Sequence, residues 1–294
     1  MGDFVLAGGL PGNFTYFWLG PLGFQRQLPL LPVGGSSQAN EDLTGGLHTS
    51  LDGTGTLDVL GMKRTWQLDW VCLTPLELAA VHAMFQRLAL APLRIIDPRA
   101  GNRLGRDGAS GGSYKRGVAA HTTTTGTPTF GVVTDYPSTA PWYGVVDGGV
   151  SWPVPVSTVA TLRIDATTTI PLVPGETITA SVALKGTLGA QVGVQYYDNT
   201  GAAGSTTLAA SVTLGGWATY SVTFTPTTGQ VAGSLIVVTA SGAARTLTIG
   251  PGLWHPSNTD WCPGTGCPRV LPLTMTTAYP GLAFADAGLT LREA

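Results

Sequence analysis

Thr65-Trp66-Gln67-Leu68-Asp69-Trp70-Val71-Cys72-Leu73 sets the reading of the chain. Trp66, Leu68 and Trp70 alternate with Gln67 and Asp69, the two-residue period of a strand buried on one face. Upstream, Leu57, Val59 and Leu60 precede a break at Gly61, so residues 55–73 are expected to form a hairpin. Downstream the period changes at once. Thr74 is placed to cap a helix, Pro75 to fill its first position and Glu77 to complete a capping box. Leu78, Val81, Phe85 and Leu88 recur at spacings of three and four, one apolar stripe, and Pro92 stops the helix. Leu93-Arg94-Ile95-Ile96-Asp97-Pro98 follows as a short strand ending in a proline turn.

Around this nucleus the composition is that of a mainly-β chain. Of 294 residues, 43% are apolar, enough for a packed core, and 41 Gly with 21 Pro imply frequent turns. Only 11% are charged, against roughly 25% in ordinary soluble domains. Surface of that kind is either covered by Gly, Ser, Thr and backbone or hidden in an oligomer. A net charge of -2 and no run of Lys or Arg exclude a nucleic-acid grip. The longest greasy stretch, Phe14 to Leu22, is far short of the roughly 20 residues a membrane span needs, so no membrane insertion is expected. Met1-Gly2-Asp3-Phe4 lacks the basic start of a signal peptide, and none is expected.

Three cysteines cannot all pair within one chain. Cys72 is expected to be buried in its strand; Cys262 and Cys267, in Cys-Pro-Gly-Thr-Gly-Cys, are either a local disulfide or two free thiols. Zinc needs about four N/S ligands and only His255 is close in sequence, so neither metal nor cofactor is expected.

Composition shifts at Gly105-Arg106-Asp107-Gly108-Ala109-Ser110-Gly111-Gly112, which reads as a flexible joint. Beyond it come short β runs at Thr177–Leu184, Gln191–Tyr197, Ala218–Phe224, Leu235–Val238 and Leu247–Ile249, the spacing of a β-sandwich. The last forty or so residues return to the earlier style and are too few to bury a core alone, so they are expected to close the first domain. The expected organisation is residues 1–112 and 255–294 as one discontinuous domain, with 113–254 inserted as a sandwich.

The Thr65–Trp70 strand, the helix, and Ala91–Pro98 with Asn102 resemble the front part of phage distal-tail and minor-tail proteins. That resemblance implies a tail-tube-like β-sandwich or barrel with one α-helix, no enzymatic activity, and homo-oligomers, first of all a hexameric ring, between the tail tube and tail-tip or hub proteins of a virion. Pro174–Gly186, Gln195–Gly201, Thr213–Thr225 and Leu247–Trp254 resemble the jelly-roll carbohydrate-binding modules of secreted glycosidases and phage tails. The inserted module would then serve host-surface adhesion or decoration, with a surface glycan as partner. The alternative is a soluble carbohydrate-binding protein or an accessory module of a glycoside hydrolase.

Catalysis finds little footing in the residues. The histidines, at 48, 82, 121 and 255, sit in unrelated contexts with no Gly-x-Ser-x-Gly elbow. Asp135, Asp147, Asp165 and Asp198 fit turn and strand-end roles better than a catalytic pair. Asp198-Asn199-Thr200-Gly201 reads as a turn, with a structural calcium as the weaker reading. For sugar binding, flat aromatic faces are the signal. Trp142, Tyr143 and Trp152, clustered around Pro141 and Pro153 in a loop-like stretch, are candidates, together with Tyr197; the same rings could instead fill the core. Tyr196 and Tyr197 must face opposite ways on one strand, and Trp217 and Tyr220 are expected in the packed core.

Overall fold

The structure is a computed structural model that describes residues 16–29, 36–49, 55–86, 92–119, 121–155, 159–165, 169–173, 175–187, 189–239, 242, 244–256, 261–280 and 283–294. In chain order the elements begin with β1 (Trp18–Gly20), β2 (Arg26–Gln27), β3 (Ser36–Thr49), β4 (Gly55–Leu73), α1 (Pro75–Phe85) and β5 (Leu93–Ile96). Next are α2 (Arg106–Ala109), β6 (Thr122–Thr123), β7 (Thr129–Val132), β8 (Gly148–Val154), β9 (Ala160–Ile164), β10 (Ile170–Pro171) and β11 (Ile178–Lys185). They continue with β12 (Gly189–Tyr197), β13 (Ala203–Leu208), β14 (Val212–Thr213), β15 (Ala218–Phe224), β16 (Ala232–Thr239) and β17 (Arg245–His255), and end in β18 (Arg269–Ala278) and β19 (Ala285–Glu293). Two compact units result: a first of Tyr16–Ile95 with Pro268–Ala294, and a second containing Ile96–Cys267.

The first unit is one sheet in the order β2-β1-β5-β18-β19-β4-β3. The alternation read at Trp66, Leu68 and Trp70 puts those three side chains opposite Leu291, Leu289 and Ala287 of β19, all buried. Leu93 and Ile95 of β5 and Leu78 and Val81 of α1 complete that core. The helix begins as its sequence dictates. Thr74 accepts from the Glu77 N–H and Glu77 accepts in return from Thr74, so the capping box is complete. The helical stripe is realised at Leu78 and Val81; Leu88 lies outside the described residues. The tail-tube-like sandwich or barrel expected here is, among the described residues, an open sheet with two ends, β2 and β3.

Two local expectations are corrected. Residues 55–73 are not a hairpin but a single strand, paired with β3 from Gly55 to Asp69. The break signalled by Gly61 is a bulge: Thr44 faces Gly61 and Gly45 faces Val59, so Leu60 is the extra residue. Cys72 is exposed rather than buried. Between Trp70 and Leu73 the register against β19 slips, and Cys72 takes a left-handed φ of 59° while donating its N–H to Asp286 Oδ1 at 2.9 Å.

The second unit has two antiparallel sheets. One runs β13-β12-β16-β9-β6, with β10 against β16 and β14 against β12; the other runs β15-β11-β17-β8-β7. Their inner faces interdigitate as in a β-sandwich. Phe224 of β15 meets Tyr196 of β12 edge-on at 5.8 Å and Trp254 of β17 at 5.3 Å. Trp254 occupies the space beside Gly233, where a Cβ would lie 2.7 Å from the indole. Glycine is what lets the large ring in.

Residues 105–112, expected as a flexible joint, are instead built in. Arg106–Ala109 form a short helix with Gly108 and Ala109 buried. Their glycines serve close approach, not mobility: a Cβ on Gly108 would lie 2.9 Å from Asp165, and one on Gly111 2.8 Å from the Gly250 backbone. Just before this helix, Asn102 is fully buried and ties four backbone groups together. Its Nδ2 donates to the carbonyls of Gly252 (2.8 Å) and Cys262 (3.1 Å), and its Oδ1 accepts from the N–H groups of Leu104 (3.1 Å) and Trp254 (3.0 Å). Next to it, Arg103 grips Glu176 with two parallel bonds of 2.6 and 2.8 Å, both side chains buried.

His121 makes this unit sensitive to acid. It is buried, neither ring nitrogen has a hydrogen-bond partner among the described residues, and burial lowers its pKa from 6.5 to about 4. The unfolded chain binds the proton near 6.5 while the folded chain resists it until about 4, so stability contributed by the neutral ring is intact above pH 6.5 and is lost as pH falls through that window. Denaturant midpoints measured from pH 7 to 4 are expected to drop, and to drop less in His121→Phe. Equal slopes in both proteins would contradict this assignment.

Candidate functional site

The outward side of the five-stranded sheet carries a second aromatic cluster, distinct from the sandwich interior. Ala183 of β11 is its floor, and Tyr136, Trp142 and Val146 from the β7–β8 connection pack on it, with Trp217 and Trp261 half-buried at its rim. Gly250 makes the packing possible. A Cβ there would sit 3.0 Å from both the Trp217 ring and the Tyr136 hydroxyl. The connection, residues 133–147, is tightly turned, with the Trp142 carbonyl accepting from both Val145 and Val146.

Each ring in this cluster is held by specific contacts. Tyr136 donates its hydroxyl to the Gly148 carbonyl at 2.8 Å and lies 4.6 Å from Trp217 at a 44° tilt. Trp142 stands edge-on to Tyr136 at 6.3 Å and to Trp261 at 6.5 Å, and Trp261 donates to the Ala109 carbonyl at 2.8 Å. Burial, reinforced by the charges of Asp135 and Asp147, raises the Tyr136 pKa and keeps the phenol neutral. Trp217 donates its indole N–H to Asp135 Oδ1 at 3.0 Å, while Lys185 bonds the other carboxylate oxygen. The hydrogen bond from Lys185, then that from Trp217, lower the Asp135 pKa, so the carboxylate stays charged through mild acid. Lys185 and Asp135 remain open to solvent, with side chains 41% and 54% exposed. The result is an oriented indole beside an accessible acid and ammonium, with Tyr143, 54% exposed, on the same connection.

Of the four rings expected from sequence to meet a ligand, only Tyr143 is exposed. Trp142, Trp152 and Tyr197 are buried. Trp152 is not in a loop but in β8, with its N–H on the Thr125 carbonyl at 2.9 Å. Tyr196 and Tyr197 do face opposite ways, but Tyr197 is covered by the Arg163 guanidinium 5.0 Å from its ring centre. Trp217 and Tyr220, expected in the core, are only half-buried. Asp198 does cap its own turn, accepting from the N–H groups of Thr200 and Ala202 at 2.9 Å each. Cys262 and Cys267 are not joined in a disulfide. Among the described residues no group of three or more His, Cys, Asp or Glu is placed to hold a metal.

No protein-family model matches the chain, and no curated protein matches it. Solved structures do. The enzymatically active domain of bacteriophage CBA120 tailspike protein 4 aligns over 53% of this chain and 21% of its own length, at 17% identity and a TM-score of 0.42. The carbohydrate-binding module TmCBM61, in complex with β-1,4-galactotriose, aligns over 53% of this chain and 99% of its own, at 13% identity and a TM-score of 0.36. An α-L-arabinofuranosidase, MgGH51, aligns over 53% of this chain and 29% of its own, at 14% identity and a TM-score of 0.37. The chain thus spans between a fifth and a third of the tailspike and arabinofuranosidase chains it matches. At these scores the likeness carries no functional argument, which has to come from the chain's own residues.

Proposed function

We propose that the second unit is a saccharide-binding adhesion module, not an enzyme, with Trp217 as its platform. The observation that carries this is the indole's setting. Trp217 is half-exposed, braced by Tyr136 behind it and oriented by Asp135, with Lys185 and Asp135 open to solvent alongside. An apolar ring face takes the C–H groups of a pyranose, and an adjacent acid and ammonium take its hydroxyls. A braced ring loses little freedom on binding, which favours affinity. On this reading the second unit is a jelly-roll-type module, and the ligand a glycan of a bacterial host surface.

The test is retardation in gels containing bacterial surface polysaccharides or plant β-glycans. Trp217→Ala is expected to weaken binding about tenfold or more, the loss of one aromatic anchor of roughly 2 kcal/mol. Undiminished binding by a folded Trp217→Ala protein would contradict the platform.

A second reading concerns the first unit. Among the described residues, β18 from Leu271 onward pairs only with β19, and Leu271 and Leu273 are exposed on it. Open strand edges are liabilities in a monomer and useful in an assembly. This supports a ring-forming component of a phage tail, a hexamer between tail tube and hub in the virion, with the second unit as adhesin. Mass measurement in solution tests it: closed rings support the reading and a stable monomer opposes it.

A further inference from the structure

The seven strands of the β13-β12-β16-β9-β6 sheet, with β10 and β14, contain a single charged residue, Arg163. Register fixes its surroundings. Arg163 lies opposite Ile236, Ser234 opposite Gln195, and Ala232 opposite Tyr197. Alternation therefore puts Arg163, Ser234 and Tyr197 on one face, outward, because Leu162, Leu235 and Tyr196 fill the interior. The Arg163 guanidinium crosses above Ser234 to lie 5.0 Å from the Tyr197 ring centre.

Among the described residues, none of the three polar side chains in this cluster has a partner of opposite kind. Among the described residues, no carboxylate or carbonyl accepts from the Arg163 guanidinium, whose side-chain contact is with the Tyr197 ring. Ser234 is 1% exposed and Tyr197 5%, yet among the described residues neither Ser234 Oγ nor Tyr197 Oη has a hydrogen-bond partner. Buried hydroxyls are nearly always satisfied, and leaving one unmet costs about 1–3 kcal/mol. A stacked guanidinium with its donor fork unused, above two idle hydroxyls, is a set of donors without an acceptor.

We propose that this face binds the carboxylate of an acidic saccharide, a uronate. Arg163 presents its planar fork to the two carboxylate oxygens, and the Tyr197 ring holds the plane of that fork. A carboxylate seated on that fork also gives the Ser234 and Tyr197 hydroxyls an acceptor. One isolated cation matches one negative charge, which favours a carboxylate over a dianionic phosphate. The inference rests on the saccharide-binding reading above but names a different face of the same unit.

The test is titration of the full chain with an oligogalacturonate and with its neutral methyl ester. The acid is expected to bind about tenfold or more tightly than the ester, the range of a charge-assisted hydrogen bond. Arg163→Gln should erase that preference, and Arg163→Lys, which keeps the charge but not the fork, should recover only part of it. Melting temperatures of both variants separate lost binding from lost folding. Equal affinity for acid and ester, with Arg163→Gln unchanged and Trp217→Ala impaired, overturns the uronate site and leaves saccharide binding standing. Competition by millimolar inorganic phosphate as strong as by the uronate also overturns it. Binding of neither oligosaccharide, nor of any neutral glycan, overturns both readings.

Discussion

Arg103→Ala is expected to destabilise the second unit by about 3–5 kcal/mol, because it strands the Glu176 carboxylate without its partner. The pair is bidentate, at 2.6 and 2.8 Å, and both side chains are almost wholly out of water, 3% and 2% exposed. Breaking one side of such a pair leaves a charge that must be rehydrated or neutralised. Replacing both partners does not. The double variant Arg103→Met with Glu176→Leu is therefore expected to recover most of the loss, since apolar packing substitutes for a desolvated pair at little net cost. Urea denaturation of the two variants checks this. A single variant that loses under 1 kcal/mol, or a double variant as unstable as the single one, would contradict it.

Asn102→Ala should cost nearly as much, about 2–5 kcal/mol, through a different term. The side chain is 0% exposed and satisfies two carbonyls and two N–H groups belonging to the residues before α2, to β17 and to the Cys262 segment. Each buried group left unmet costs about 1–3 kcal/mol, partly recovered where water enters the cavity. Asn102→Asp is the sharper variant. It keeps the shape but turns two donors into an acceptor aimed at the carbonyls of Gly252 and Cys262, so it is expected to be no better than alanine. Thermal melts of both proteins test this; an aspartate variant as stable as the parent would mean the amide's donors are dispensable.

These two neighbours also show what could be read in the chain. Local signals were dependable where a single element decides them. The alternation from Trp66 to Trp70 and the capping box at Thr74 are complete in the structure, because period and cap chemistry depend on residues a few positions apart. The runs read at Thr177–Leu184, Gln191–Tyr197 and Ala218–Phe224 fall on β11, β12 and β15, and those at Leu235–Val238 and Leu247–Ile249 lie inside the longer β16 and β17, whereas β6 to β10, β13 and β14 had no run to announce them. What failed is whatever depends on a partner distant in sequence. Gly105 to Gly112 has the composition of a linker, but its glycines are there so that Asp165 and Gly250 can come close. Cys72 sits in an apolar run, yet a bulge against β19 turns it outward.

The candidate site illustrates the same limit. Trp142 and Trp152 stand beside prolines, which made their stretch look like an exposed loop; one packs on Ala183 and the other sits within a strand. Trp217 was expected in the packed core, but Gly250 and Tyr136 hold it at the rim. Its partners Asp135 and Lys185 lie 82 and 50 residues away from their bonded atoms' counterparts, Trp217 and Asp135 respectively. No spacing rule joins three such residues.

Whether a glycan truly rests on that indole can be read from one spectrum. In a ¹⁵N-labelled sample the Nε1–H of Trp217, assigned with Trp217→Phe, is followed while oligosaccharides from the surface polysaccharide or β-glycan that retards the protein are added. Its resonance is predicted to shift and saturate with the ligand, while those of the buried Trp66, Trp70, Trp152 and Trp254 stay in place. Saturable binding that leaves the Trp217 signal unmoved would contradict the account.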